Sequence, residues 1–245
     1  MLTVTPALAV QRSIYDRPRG RERFRSYLRE LTGGTDDLVL PLAAQNPMGR
    51  AHCAAALDRL IDLDAEEVAR AAVEEFVERR GSFGDHRVVL VLVDDAEGGW
   101  TDRDLTDVRH RFEPAAEMKR GWVTVNLYTG DFSDDRPAAA DVRRAVLVTL
   151  HERAAWLEGG AVATLGDRMR RVGAALAFAG AEEPAFDDEV LARLRSTLAP
   201  HLDSDTFSDV FACLYGDEAA ARVGYPPLGL PRFAGFAVAL ADARG

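Results

Sequence analysis

Val88-Val89-Leu90-Val91-Leu92-Val93-Asp94-Asp95 is a run of six β-branched or leucine side chains closed by two carboxylates. No polar residue alternates with the apolar ones, so the run is predicted to form a strand covered on both faces. The carboxylates stand where that strand ends, the place at which open α/β sheets hold nucleotides or Mg²⁺. Gly98-Gly99 then mark a turn before Trp100. Turn chemistry accounts for Asp-Asp-Ala-Glu-Gly-Gly as well as a ligand does, and no Gly-x-Gly-x-x-Gly or Walker loop accompanies it.

Downstream, a charged segment holding His110 reads as irregular. From Trp122 to Tyr128 the pattern alternates, with Trp122, Thr124, Asn126 and Tyr128 on one face and Val123, Val125 and Leu127 on the other. This predicts a second strand with one buried face and one facing solvent or a neighbour, where a peptide could add as a further strand. Pro137 and Asp141 precede a long helix through Glu158, ended by Gly159-Gly160. A further helix covers about Thr164 to Ala179, and more follow around 187–198, 205–214, 216–223 and 232–243. The prolines of Gly224–Pro231 make that segment an extended, packed crossing.

Upstream, the chain is read as helical. Phe24, Tyr27, Leu28 and Leu31 recur at helical spacing from Arg21, and Gly33-Gly34 stop that helix. A short extended piece is expected over Asp37–Ala43. Asn46-Pro47 reads as cap and first-turn proline of a helix through Ile61, and Asp64 with Glu67 as the capping box of another to about Arg80. At the first of these helix starts cluster Asn46, Pro47, Met48, Gly49, Arg50 and His52, where free N–H groups could hold an anion. The domain boundary is placed near Gly81, giving residues 1–80 as an N-terminal helical region and 81–245 as the core with C-terminal helices.

A net charge of −10 and a pI near 5.0 exclude general affinity for nucleic acid. The basic stretch Arg17, Arg19, Arg21, Arg23, Arg25 and Arg29 is diluted by Asp16, Glu22 and Glu30 and reads as a solvated helix face. Cys53 and Cys213 are too few for a disulfide framework, and they read as small apolar fillers in a reducing compartment. No run reaches the ~18 apolar residues of a membrane span, so a cytoplasmic protein is expected.

The order of strand, glycine-containing turn, strand, helix bearing His151-Glu152, and second helix ending Gly173-Ala174-Ala175-Leu176-Ala177-Phe178-Ala179 resembles the core of zincin-fold metallopeptidases. In particular it is similar to the gluzincin-like predicted proteases, whose second helix carries a glycine after the third metal ligand. The resemblance covers about Val88 to Ala179. It implies an α+β, helix-rich fold in which a small sheet packs on two helices, with an N-terminal helical hairpin and C-terminal helices. It also implies His151 as metal ligand and Glu152 as base, while the other two ligand places fall on Ala155 and Val172.

One imidazole cannot hold zinc against water, so no metal is expected unless the protein is active, and then through His151. The bland alternative packs His151 among Leu147, Val148 and Ala155 and gives Glu152 a salt bridge or water. Three functions follow. The favoured one is a noncatalytic zincin-like protein binding a peptide or protein partner, with candidate contacts at Trp122, Thr124, Asn126, Tyr128, Asn46, Arg50 and His52. The others are a metal-dependent hydrolase that adds His110, His52 or an aspartate to His151 and Glu152, and a phosphate-ligand enzyme using Asp94 and Asp95.

Overall fold

A computed structural model describes residues 1–35, 39–96, 99, 101–132, 139–182 and 186–245. The fold is helix-rich α+β, and among the described residues its sheet has three parallel strands. By contact the chain divides into two compact units, residues 1–106 with 114–150 and residues 107–113 with 151–245. No helix among the described residues is long and apolar enough to cross a membrane.

The first unit runs through β1 (Leu2–Val4), α1 (Leu8–Ile14), α2 (Arg21–Thr32), α3 (Ala51–Asp62), α4 (Ala65–Arg80), β2 (His86–Val93), the start of α5 (Arg103–Phe112), α6 (Ala115–Met118), β3 (Trp122–Tyr128) and the first half of α7 (Ala139–Gly159). The strand order is β1-β2-β3, with Leu2 opposite His86 and Arg87 through Val93 opposite Trp122 through Tyr128. Gly81 therefore falls within this unit, because β1 pairs with β2 across it. As the hydrophobic run requires, Val88 to Val93 are all buried.

β1 is too short to pair the whole of β2. Beyond Val88, whose carbonyl accepts from Thr5 N, the flank of β2 would carry bare peptide groups. Gln11 of α1, fully buried, fills the gap: its amide donates to Leu90 O at 2.7 Å and its carbonyl accepts from Leu92 N at 2.9 Å. One side chain thus continues the ladder where the strand stops, meeting the requirement that buried backbone groups be paired.

Several expectations change. Trp122, Thr124 and Tyr128 are buried along with Val123, Val125 and Leu127, and of the expected open face only Asn126 is partly exposed. Both faces of β3 are covered, so alternation does not mark a wet side here. The charged segment around His110 is α5, whose Leu105, Val108 and Phe112 keep helical spacing among the charges. The opening residues form β1 and α1.

α3 starts at Ala51, later than Asn46-Pro47 suggests, with Arg50 at its cap position. Asp64 has φ 57° and makes no side-chain cap bond, so the capping box with Glu67 does not form. Its neighbour Glu66 caps a different helix, accepting from Ala7 N at 2.6 Å and Leu8 N at 2.8 Å at the start of α1. Of the extended piece over 37–43, residues 37 and 38 lie outside the described residues, and from Val39 the chain is bent and irregular. Arg23 leaves the expected solvated arginine face: it is buried and donates to the carbonyls of Arg17, Gly49 and Tyr15.

The second unit comprises the end of α5, the second half of α7, α8 (Leu165–Phe178), α9 (Asp188–Leu198), α10 (Phe207–Tyr215), α11 (Asp217–Arg222) and α12 (Ala234–Arg244). Thr164 and Asp187 cap α8 and α9 through their side chains. Gly173 has a packing reason, since a Cβ there would run into the Ala239 carbonyl of α12. The crossing before α12 is tied by Asp217, which accepts from Leu228 N and Gly229 N at 2.8 and 2.9 Å.

Gln11→Leu removes donor and acceptor together and leaves Leu90 O and Leu92 N buried without their partner. At about 1–3 kcal/mol for each orphaned group, urea denaturation is expected to show a loss of about 2–5 kcal/mol. A change below about 1 kcal/mol would show that the amide does not carry the ladder.

Candidate functional site at the carboxyl end of the sheet

Asp94 follows the last residue of β2 and is 3% exposed. A carboxylate so placed loses its water and must be given donors. Two arrive, one from the segment between α2 and α3 and one from the first turn of α3. Asn46 Nδ2 donates to Asp94 Oδ2 at 2.6 Å, and His52 Nε2 lies 2.7 Å from Oδ1. The Asn46 side chain is set for this because its Oδ1 accepts from Met48 N at 2.9 Å, which fixes which end of the amide faces Asp94. Tyr15 Oη donates to the Asn46 carbonyl and holds the backbone there.

Cys53 completes the cluster. It is buried, and its Sγ lies 3.3 Å from His52 Nε2. Burial, and then the charge of Asp94, push its thiol up to about 12. The sulfur fits only because residue 49 is glycine, whose added Cβ would come within 2.5 Å of Sγ. Arg23 secures that turn by donating to Gly49 O at 3.1 Å.

Asp95 has a different part. Its Oδ1 accepts from Thr129 Oγ1 at 2.9 Å and Gly130 N at 2.7 Å, and its Oδ2 from Arg103 at 3.1 Å. Arg103 is also bidentate to Asp131, at 2.7 Å on each nitrogen, and lies over the Tyr128 ring at 4.4 Å. The acceptors of Asp95 are committed to bracing the ends of β2 and β3. Of the two strand-end aspartates, Asp94 is the one set in a cluster of reactive side chains.

The structure brings together Asn46, His52 and Asp94 from the residues singled out in the sequence and adds Cys53, which reads there only as a filler. Its signal was adjacency to His52. Arg50 is exposed at the start of α3, outside the hydrogen-bonded cluster. Trp122, Thr124, Asn126 and Tyr128 do not form an open strand edge at Thr124, because the carboxylate of Glu117 accepts from both its N–H and its hydroxyl.

His151 and Glu152 belong to the second unit. The His151 ring lies 5.0 Å from that of Phe178, and Val172 is fully buried. Glu152 is 3% exposed and pairs with Arg111, which also pairs with Asp107 at 2.7 Å. Tyr215 Oη donates to Asp107 at 2.7 Å, and Arg153, fully buried, lies 2.9 Å from His110 Nε2. Burial pushes the Glu152 carboxyl above its usual range, with Arg111 pulling the other way. Glu152 is thus taken up by the buried Arg111 guanidinium.

Comparison of the chain with protein-family models, with curated proteins and with solved structures finds no match.

Glu152→Leu leaves Arg111 with one of its two carboxylates. Removing one partner of a buried pair costs about 3–5 kcal/mol, so thermal and urea unfolding should show a loss of that order. An unchanged midpoint would mean that Glu152 is not held by Arg111 and is available for chemistry.

Proposed function

We propose that the protein is an enzyme whose reaction takes place at the carboxyl end of the parallel sheet, with His52 and Asp94 as its polar machinery and a small polar substrate as its ligand. The observation that carries this reading is the contact of the partly buried His52 with the buried Asp94, oriented by Asn46. Placing an imidazole and a carboxylate out of water costs several kcal/mol, and apolar residues of the same size stabilise a fold as well or better. A fold keeps such a pair when it serves something other than stability. Its location agrees, because ligands of parallel α/β sheets bind beyond the carboxyl ends of the strands.

Hydrolysis is the reaction type this pair serves most simply. An imidazole backed by a carboxylate can take a proton from water and return it to a leaving group. The reading places the chemistry on α3 and β2, away from the His151-Glu152 helix.

The alternative, a noncatalytic relative of zincin-fold peptidases that binds a peptide along β3, draws on the position of β3 at the edge of the sheet. Asn126 is its one partly exposed contact on that strand, and Glu117 takes the edge at Thr124. The phosphate-ligand reading of Asp94 with Asp95 loses Asp95 to its brace.

A pair kept for chemistry can be removed without loss of stability. For His52→Leu/Asp94→Leu, the unfolding free energy in urea is expected to stay within about 1 kcal/mol of the parent or to rise. A loss above about 3 kcal/mol would make the pair a structural tie and remove the argument for a functional centre.

A further inference from the structure

The same cluster holds a convergence that a proton-transferring pair does not need. His52 Nε2 faces Asp94 Oδ1 at 2.7 Å and Cys53 Sγ at 3.3 Å, and these three donor atoms lie within 4.8 Å of one another. We propose that His52, Cys53 and Asp94 bind a zinc-class divalent ion through Nε2, Sγ and Oδ1, an inference that rests on reading this cluster as the functional centre and that, with Nε2 and Oδ1 taken by the ion, puts metal-held water in place of the imidazole as the proton-handling group.

The competing use of a cysteine, a histidine and an aspartate is a nucleophilic triad. That device needs the thiol on one ring nitrogen and the carboxylate on the other, so that the imidazole takes a proton on one side while it is oriented from the other. Here both groups face the same nitrogen, Nε2. One nitrogen, one sulfur and one oxygen within 4.8 Å of one another can serve together as ligands of one ion.

The donor set fits zinc in kind and in size. Zinc accepts imidazole, thiolate and carboxylate together at about 2.0–2.3 Å, which sets tetrahedral donors about 3.3–3.7 Å apart. The nitrogen-to-sulfur separation is already at that value, and the nitrogen-to-oxygen separation needs to widen by under about 1 Å. On binding, the thiol proton leaves to solvent and the sulfur lone pair forms the bond. Thiolate, carboxylate, neutral imidazole and a divalent cation then sum to zero charge, which suits a buried place. Among the described residues three protein ligands are present, the number that leaves a fourth position for water at catalytic zinc.

The surroundings hold the ligands in place. Asn46 occupies Asp94 Oδ2 and so leaves Oδ1 to the ion, and Met48 N fixes the Asn46 amide. Gly49 leaves the room in which Sγ sits. Asn46 and Gly49 are positioning residues in this account, and outer partners of this kind commonly change metal affinity by about 10–100-fold.

The test is cobalt titration of the full-length protein after treatment with a chelator, followed by absorbance. The expected result is one equivalent of Co²⁺ with the visible intensity of a four-coordinate site and a near-ultraviolet thiolate-to-cobalt band. Cys53→Ser should abolish that band while far-ultraviolet circular dichroism stays unchanged, and Cys213→Ser should leave it intact. Asn46→Ala should weaken binding about 10–100-fold. Absence of saturable binding, or a thiolate band that survives Cys53→Ser, would overturn the metal site. Should cobalt fail to bind while His52→Leu/Asp94→Leu remains as stable as the parent, the metal falls and the enzymatic reading of the cluster stands. A marked drop of the urea unfolding midpoint in that double variant would sink the enzymatic reading instead.

Discussion

A carboxylate at the end of a buried central strand must be given donors, and in this protein that requirement organises both the sheet and its site. Asp94 receives Asn46 and His52 from the long crossover that joins β1 to β2. Satisfying it pins the turn at 46–49, sets where α3 begins and delivers Cys53 beside His52. Gln11 answers the same demand on the flank of β2, where β1 is too short to pair the strand. Local propensity does not choose these contacts. They follow from the cost of leaving buried polar groups without partners.

That origin explains what the amino-acid order makes legible and what it hides. Val88–Val93 and Trp122–Tyr128 read as strands because β-branched density and alternation are local signals. The helices at 21–32, 139–159 and 165–178 read for the same reason, with glycines or caps near their ends. α5 does not, because its charges mask Leu105, Val108 and Phe112. Asp64 misleads: a side chain suited to capping adopts a left-handed backbone instead, and Glu66, one turn of reasoning away, serves α1. Burial on both faces of β3 is a tertiary fact that alternation cannot report.

The site was legible in pieces. Asn46 and His52 stood out as a helix start and Asp94 as a strand end, each with an ordinary explanation in turn or cap chemistry. Their meeting spans 42 residues between His52 and Asp94 and is a tertiary fact. Cys53 reads as a filler because two distant cysteines carry no pattern. The His151-Glu152 pair teaches the reverse. It has the local spelling of a catalytic helix, yet what decides its chemistry is Arg111, 41 residues away from Glu152 in the chain. Glu152 is taken up by a buried guanidinium, whereas Asp94 meets an imidazole and a thiol at the end of the sheet.

The most direct measurement of this account is anomalous diffraction at the zinc edge from crystals of the full chain grown with zinc. The expected result is one strong peak between the side chains of His52, Cys53 and Asp94, with Glu152 still on Arg111. A peak at His151 and Glu152, with the contact of His52 to Asp94 undisturbed, would contradict it.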